Sequence, residues 1–324
     1  MKLGGLLFVA RNPADLYEVG PAAPDADGNL VMLYYLDGFI DAGAAGRLLT
    51  THLLTTLEHE QVARFDIDSL LDYRSRRPVM TFSKDHWDDY DAPELAVSLL
   101  RDAEGTPFLL LAGLEPDREW ETFTAAVMQL SANLRARLAV GFHGIPMGVP
   151  HTRQLGVTAH ATQPELIEGY RPLVDNLQVP GSAAALLEYR LGAAGRGAIG
   201  FAVHVPHYLA QAAYPAAAVT LLESVQRATG LVLPADALRE AARRTDLEIA
   251  RQVEGSSEVA EVVQALEQQY DAFAADRESL LASGEQVPTA EELGAQFEQF
   301  LAEQQGRDNH PRGEISGEPP EDRP

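Results

Sequence analysis

Acidic, basic and imidazole side chains follow several short apolar runs of this sequence, and these residue types could carry acid–base chemistry. Asp41, Glu115 and His151 are the candidate catalytic residues, because a carboxylate or an imidazole can transfer a proton near neutral pH. Their spacing dictates no particular pairing. The candidate ligand-binding residues, which lie close after the ends of such runs, are Gly38, Asp41, Gly43, Arg74, Arg77, Glu115, His143, His151, Arg153 and His207.

The glycine-rich stretch 36–46 comes between an apolar run and a helical pattern. Backbone amides at a helix N-terminus can hold a phosphate or a carboxylate. The dinucleotide-binding spacing Gly-x-Gly-x-x-Gly is absent, however, and Asp37 and Asp41 would repel an anion. Tight packing of the helix on a sheet is therefore the favoured interpretation of these glycines.

Three arginines are clustered in Asp72-Tyr-Arg-Ser-Arg-Arg-Pro78. Guanidinium groups bind carboxylate or phosphate, and they equally form ion pairs across a subunit boundary or remain solvated. Pairing of these arginines with Asp41 or Glu115 is one hypothesis that the sequence leaves open.

The sequence predicts neither a resident metal nor a cofactor. His143, His151 and His160 could converge with Glu115, but no recognisable metal-ligand motif is present. There is no Gly-x-Ser-x-Gly motif for a serine hydrolase and no cysteine for a thiol nucleophile. The two lysines, Lys2 and Lys84, stand outside any glycine-rich phosphate loop.

The elements that must position these residues alternate between strands and helices, which predicts the α/β class with a mostly parallel or mixed central sheet and helices on both faces. Apolar runs predict strands at 30–36, 62–67, 108–112, 138–142, 155–160 and 198–205. Helical periodicity predicts helices at about 42–59, 118–135, 182–192 and 215–229, with Asp117 and Ser182 as N-caps and Gly230 as the last stop.

The pattern changes after residue 233, where strand signals stop. We expect an α/β core domain over 1–233 and an acidic helical extension over 234–305, packed on the core or projecting from it. The extension holds two helical patterns and a capping box that opens a third helix at Thr289. The polar, proline-rich tail 306–324 is expected to be disordered.

The formal net charge is −23, which argues against binding to nucleic acid or to anionic membrane surfaces. The N-terminal apolar run is too short for an export signal, and no apolar run approaches about twenty residues. Together with the absence of cysteine, these features predict a cytoplasmic protein.

Six segments in this order resemble the proteasome assembly chaperone 2 (PAC2) family, in the form found in actinobacteria. They are Gly38-Phe-Ile-Asp-Ala-Gly43, Phe65-Asp-Ile-Asp68, residues 72–78, Gly113-Leu-Glu-Pro-Asp-Arg-Glu-Trp120, Gly144-Ile-Pro-Met-Gly-Val-Pro-His-Thr-Arg153 and Val205-Pro-His-Tyr208. The resemblance covers about residues 4–230. It implies a phosphorylase/hydrolase-like α/β fold, self-association or pairing with a related subunit, and protein partners that include proteasome subunits.

Two functions compete at this point. The first is a non-enzymatic, oligomeric protein-assembly factor that resembles the proteasome assembly chaperones. The alternative is an enzyme or small-molecule-binding protein of the same fold, with a polar pocket at the strand ends lined by Asp41, Arg77, Glu115, His151 and Arg153. A third, blander possibility is a structural oligomer whose acidic helices only maintain solubility.

Overall fold

The computed structural model describes residues 11–20, 29–170, 172 and 176–283, with side chains described up to residue 272. The chain separates into two compact units, one of residues 1–172 and 179–274 and one of residues 173–178 and 275–324. All the candidate residues belong to the first unit. The predicted helix at Thr289 and the tail 306–324 lie outside the described residues.

Ten strands and seven α-helices make up the described part of the chain. The strands are β1 (Tyr17–Val19), β2 (Leu30–Asp37), β3 (His59–Phe65), β4 (Met80–Ser83), β5 (His86–Tyr90), β6 (Leu95–Arg101), β7 (Pro107–Leu114), β8 (Ala136–Met147), β9 (Val157–Ala161) and β10 (Gly197–Pro206). The helices are α1 (Ala45–Thr56), α2 (Ile67–Leu70), α3 (Trp120–Asn133), α4 (Ala183–Ala193), α5 (Pro215–Thr229), α6 (Asp236–Glu254) and α7 (Ser257–Ser283).

Eight strands form one mixed sheet in the order β1-β3-β6-β7-β2-β8-β10-β9, and β4 and β5 form a separate hairpin. The four central strands β7, β2, β8 and β10 are parallel to one another. The flanking strands β1, β3, β6 and β9 pair in antiparallel fashion. The predicted α/β class with a mixed sheet is therefore confirmed.

Strand β2 shows why the sheet is covered on both sides. Its residues are buried from Leu30 through Leu36, so both faces of the strand are apolar, as expected for a central strand. Val31, Leu33 and Tyr35 enter one hydrophobic core, whereas Met32 and Tyr34 enter the other. Alternate residues of a strand point to opposite faces, and that alternation divides the interior into two layers.

Helices cover each of these two cores. Leu49 of α1, Leu221 of α5 and Leu238 of α6 contribute to the first core, and Phe123 of α3 and Leu187 of α4 contribute to the second. Residues 234–254, which begin the predicted extension, therefore add apolar side chains to the main core. No helix in the described ranges is both long and apolar enough to cross a membrane.

The six predicted strands and four predicted helices of the core are present, with one wrong cap. Ser182 accepts a hydrogen bond from the Ala185 amide at the start of α4, as predicted, and Gly230 ends α5 with a φ of 77°. Helix α3, however, begins after Glu119 rather than after Asp117. Asp117 instead accepts the Asp72 amide at 2.7 Å, so it stabilises a loop and not the helix.

Candidate functional site

The carboxyl ends of the four parallel strands meet at one edge of the sheet, which we call the rim. There β2 ends at Asp37, β7 at Leu114, β8 at Met147 and β10 at Pro206. Loops at this edge are where open α/β sheets carry binding sites. Most of the candidate residues lie in or close to these loops, whereas Arg74 and Arg77 lie between α2 and β4. Several of the candidates bind other parts of the same chain.

Asp41 receives four hydrogen bonds. Its carboxylate accepts hydrogen bonds at 2.9 and 3.0 Å from the amides of Gly46 and Arg47, which belong to the first turn of α1 and have no acceptor within the helix. It also accepts from the Gly144 amide on β8 at 2.9 Å and from the Tyr35 hydroxyl at 3.0 Å. Burial, and then the charge of Asp41, raise the pKa of Tyr35 far above its usual value. Asp41 thus joins the start of α1 to two central strands.

The two candidate glycines are placed by close packing. Gly43 has a φ of 68°, its amide donates to the Ala210 carbonyl at 2.8 Å, and its carbonyl accepts the Tyr214 amide at 2.8 Å. A Cβ at Gly38 would lie 2.6 Å from an Arg76 guanidinium nitrogen. Both glycines therefore let neighbouring chain segments approach closely. The Gly43 amide already donates to the Ala210 carbonyl and is not available to an anion.

Glu115 is 5% exposed, and its Oε1 accepts the Ala183 amide in the first turn of α4 at 2.7 Å. Desolvation raises the pKa of this carboxyl, and this effect outweighs the Ala183 hydrogen bond and the charge of Arg76, which both lower it. The Glu115 hydrogen bond also stabilises the N-terminus of a core helix.

Arg76 is the arginine of the 72–78 cluster that enters the rim, and it was not among the ten candidates. Its Nη1 donates to the Glu115 and Asp37 carbonyls at 3.0 and 3.3 Å, and its Nε lies 3.0 Å from Asp117 Oδ1. Arg74 and Arg77 are exposed and form no ion pair with a described residue.

His143 and His160 have opposite pKa shifts. Burial lowers the pKa of His143 to about 4, and the nearby charge of His160 adds to this effect. Burial also disfavours charge on His160, but the 2.7 Å hydrogen bond from its Nδ1 to Glu188 and the negative charge of Glu188 together outweigh burial and raise the pKa of His160. The buried Tyr34 hydroxyl bonds the same Glu188 carboxylate.

Two paired glycines make room for these rings. Gly141 on β8 pairs with Gly200 on β10. A Cβ at Gly141 would lie 2.5 Å from Tyr34 Cζ, and a Cβ at Gly200 would lie 2.0 Å from His160 Cε1. The Tyr34 and His160 rings therefore occupy the space that side chains at 141 and 200 would take.

His151 is held by Tyr208, which follows β10. The Tyr208 hydroxyl accepts the His151 amide at 2.9 Å and lies 2.7 Å from the ring Nδ1. Burial lowers the pKa of His151, although Asp246 and Glu267 oppose that shift. His207 is exposed, and its ring packs edge-on against Tyr208 at 5.4 Å.

Arg153 is bound by the acidic helix α7. Its Nε and Nη2 donate to both carboxylate oxygens of Asp271 at 2.8 and 2.7 Å, and its Nη1 lies 3.2 Å from Glu267. Thr152 also donates to Glu267, and the Tyr270 hydroxyl donates to the Gln154 carbonyl at 3.2 Å. The loop after β8 is therefore attached to α7 by the side chains of Thr152 and Arg153 and by the Gln154 carbonyl.

Two open clefts are present in the described part of the chain. One, of about 630 Å³, is lined by residues that include Tyr17, Arg64, Asp68 and Tyr90. The other, of about 530 Å³, is lined by residues that include His160 and Glu188. None of the ten candidate residues lines either cleft. Within the described ranges, no group of three or more acidic or histidine residues could hold a metal ion.

Comparison with known proteins places the chain in a family. A protein of unknown function from Mycobacterium tuberculosis is 52% identical, with 82% of this chain and 92% of that chain covered and a TM-score of 0.78. A protein of unknown function from Corynebacterium glutamicum is 38% identical over 79% and 97% of the two chains, with a TM-score of 0.76.

A proteasome-assembly chaperone homologue from M. tuberculosis is 24% identical over 72% of this chain and 100% of its own, with a TM-score of 0.67, and this likeness shows the fold. No curated protein matches the chain. The sequence model of the PAC2 family matches residues 35–253, which span nearly all the strands and helices described above. The chain therefore belongs to the PAC2 family.

Proposed function

We propose that this protein is a non-enzymatic assembly factor of the proteasome-assembly-chaperone type, which acts by binding other proteins. Its partners in this proposal are proteasome subunits, and it also self-associates, in the cytoplasm and without nucleic acid or membrane. Membership of the PAC2 family and the name of the fold relative from M. tuberculosis support this class of function.

The observation that carries the proposal is that charged side chains at the rim bind other groups of the same chain. Asp41 accepts four hydrogen bonds, Glu115 bonds the start of α4, and Arg153 forms a bidentate pair with α7. A general acid or base needs a polar atom free to reach its substrate. Side chains that already bind helix N-termini and loops are better suited to fixing the conformation of a surface. In this proposal Asp41, Gly43, Glu115, His151 and Arg153 are positioning residues, the core spans 1–233, and 234–305 is the helical extension.

The test is binding to proteasome subunits encoded by the same genome. Purified chain would be mixed with separate α- and β-subunits and with the assembled core particle, and complexes would be detected by native mass spectrometry. We expect a complex with unassembled α-subunits at about 10 μM or below, and faster assembly when β-subunits are added.

An unrelated acidic protein of similar charge is the control for nonspecific attraction. If the chain binds neither free subunits nor the assembled particle at that concentration, or if the control protein binds as well, the proposed function is wrong. Turnover of a small molecule that requires Glu115 would favour the enzyme alternative instead.

A further inference from the structure

The hairpin formed by β4 and β5 carries an exposed apolar face. Cross-strand pairing places Met80 opposite Tyr90 and Phe82 opposite Trp87. Side chains of directly opposed residues lie on the same face, so these four form one patch, which we call the hairpin face. They are 46%, 45%, 55% and 63% exposed, respectively.

The hairpin face is held in a defined shape. The Phe82 and Trp87 rings meet edge-on, with centroids 5.1 Å apart and an interplanar angle of 74°. The Asp91 amide donates to the Val79 carbonyl at 3.0 Å and closes the open end of the hairpin. Aromatic residues and methionine are enriched where proteins bind each other, and rigid rings bind at low entropic cost.

Acidic groups lie at the turn of this hairpin and on its other face. The turn and the opposite face of the hairpin carry Asp85, Asp88 and Asp89, with a single lysine, Lys84. Asp88 accepts a hydrogen bond from Ser83 at 3.2 Å, which directs it away from the aromatic rings. Protein-binding surfaces usually have an apolar centre with polar groups at the border.

The cleft of about 630 Å³ reaches the hairpin at Tyr90 and extends the acidic surface. Its lining includes the carboxylates of Asp15, Glu18 and Asp68, with Arg64 as the basic residue. The hydroxyl of Tyr73, which also lines the cleft, donates to Asp68 at 2.6 Å. A partner that covers the hairpin face therefore also meets negative charge on this side.

We propose that the hairpin face docks onto a protein partner with an apolar socket bordered by arginine and lysine side chains. This inference rests on the proposed function, because it specifies the surface and the partner chemistry of a protein-binding protein. A second copy of the chain is the poorer occupant of this face, since it brings the same aspartates to the contact.

The test uses two labelled peptides of about 14 residues as probes. One alternates leucine with arginine, and the matched peptide has glutamate in place of every arginine. Binding of each peptide to the full chain would be measured by fluorescence anisotropy as a function of salt concentration. We expect the arginine peptide to bind at least about tenfold more tightly than the glutamate peptide, with a preference that weakens as salt is added.

The double variant Phe82→Ser/Trp87→Ser should bind the arginine peptide at least about tenfold more weakly. Leu247→Ser is the matched control, because Leu247 is 62% exposed on α6 and lies outside the hairpin. Circular dichroism and thermal unfolding would establish that the variants fold. Equal binding by the wild type and the hairpin double variant overturns the proposal, as does equal binding of the two peptides.

Two further measurements distinguish other possible occupants of the hairpin face. If sedimentation shows a wild-type oligomer that dissociates in the double variant, the hairpin face binds a second copy and the proposal is wrong. If deletion of residues 1–10 is needed before the peptide binds, that segment is the occupant and the proposal is equally wrong. Selective peptide binding without any proteasome-subunit binding would overturn the proposed function alone.

Discussion

The rim and the β4–β5 hairpin differ in how their side chains are used. At the rim, acidic and basic side chains are bound by amides, carbonyls and opposite charges of the same chain. On the hairpin, Phe82 and Trp87 are more than half exposed and contact each other. Residue types that are common in catalytic sites thus stabilise the fold at the rim, whereas the exposed face of the hairpin is apolar.

This difference shows that residue type alone is a weak guide to function in this fold. A carboxylate near a helix N-terminus is as useful for satisfying orphan amides as for binding a substrate. Solvent exposure of several large apolar side chains on one small element has no such structural role, because it costs hydrophobic stabilisation. The following predictions test the comparison, beginning with the largest effect.

Asp41→Ala should lower the free energy of unfolding by about 3 kcal/mol, because it leaves amides of α1 and β8 without an acceptor. Urea denaturation followed by circular dichroism measures the loss. Asp37→Ala is the control, since the Asp37 carboxylate forms no hydrogen bond with a described residue. If the two variants are equally stable, Asp41 is not structurally committed and the comparison fails.

His143 should make stability depend on pH. Its folded-state pKa is about 4, below the ordinary value of 6.5, so the folded protein binds fewer protons than the unfolded chain between these values. Its stabilising contribution is present above pH 6.5 and is lost as pH falls toward 4. Relative to His143→Gln, the wild type should lose on the order of 1–2 kcal/mol between about pH 7 and pH 5.

Urea denaturation of both proteins at each pH measures this difference. A constant difference across the range would mean that His143 titrates normally in the folded state. NMR titration of the imidazole resonances provides an independent readout, in which His143 should titrate at a lower pH than His160.

Arg153→Ala should loosen α7 from the loop after β8 while leaving the main core intact, because Arg153 supplies the bidentate pair to Asp271. Amide exchange around residues 267–271 of α7 should accelerate by at least about threefold. Arg243→Ala is a suitable control, since Arg243 pairs with Glu240 within α6. Unchanged exchange in Arg153→Ala would show that other contacts fix the helix.

Trp87→Ser should have the smallest effect on stability. Because Trp87 is 63% exposed, we expect the free energy of unfolding to change by less than about 0.5 kcal/mol. The same urea assay measures it, with the buried Phe123→Ser as a strongly destabilised reference. A loss above about 1 kcal/mol would show that the hairpin face is part of the fold rather than a free surface.

Elements with strong local signals could be predicted from the sequence. Strand β2 is apolar on both faces, and α5 begins at Pro215 and is closed by Gly230. The apolar run predicts strand β8 only to Phe142, because His143, Gly144 and Pro146 interrupt it. It continues to Met147 since β10 pairs with it that far. The β4–β5 hairpin has no buried face, so alternation of polarity gave no signal for it.

The location of the candidate site could be predicted, but the partners of its residues could not. Gly144, which donates to Asp41, lies 103 residues away in sequence and is brought there by sheet register. Among the three clustered arginines, the turn in which the Ser75 and Arg76 amides both donate to the Asp72 carbonyl directs Arg76 inward. Three identical side chains carry no sequence signal for that choice.

Gly141 and Gly200 pair across two strands, and each lies against a side chain from another strand, so substitution of either glycine affects more than its own strand. A methyl group at 200 would collide with the His160 imidazole and displace it from Glu188 on α4, and one at 141 would do the same to Tyr34. Two glycines, a tyrosine, a histidine and a glutamate thus form one closely packed group. A side chain at either glycine requires the ring beside it to move and weakens the contact of that ring with α4.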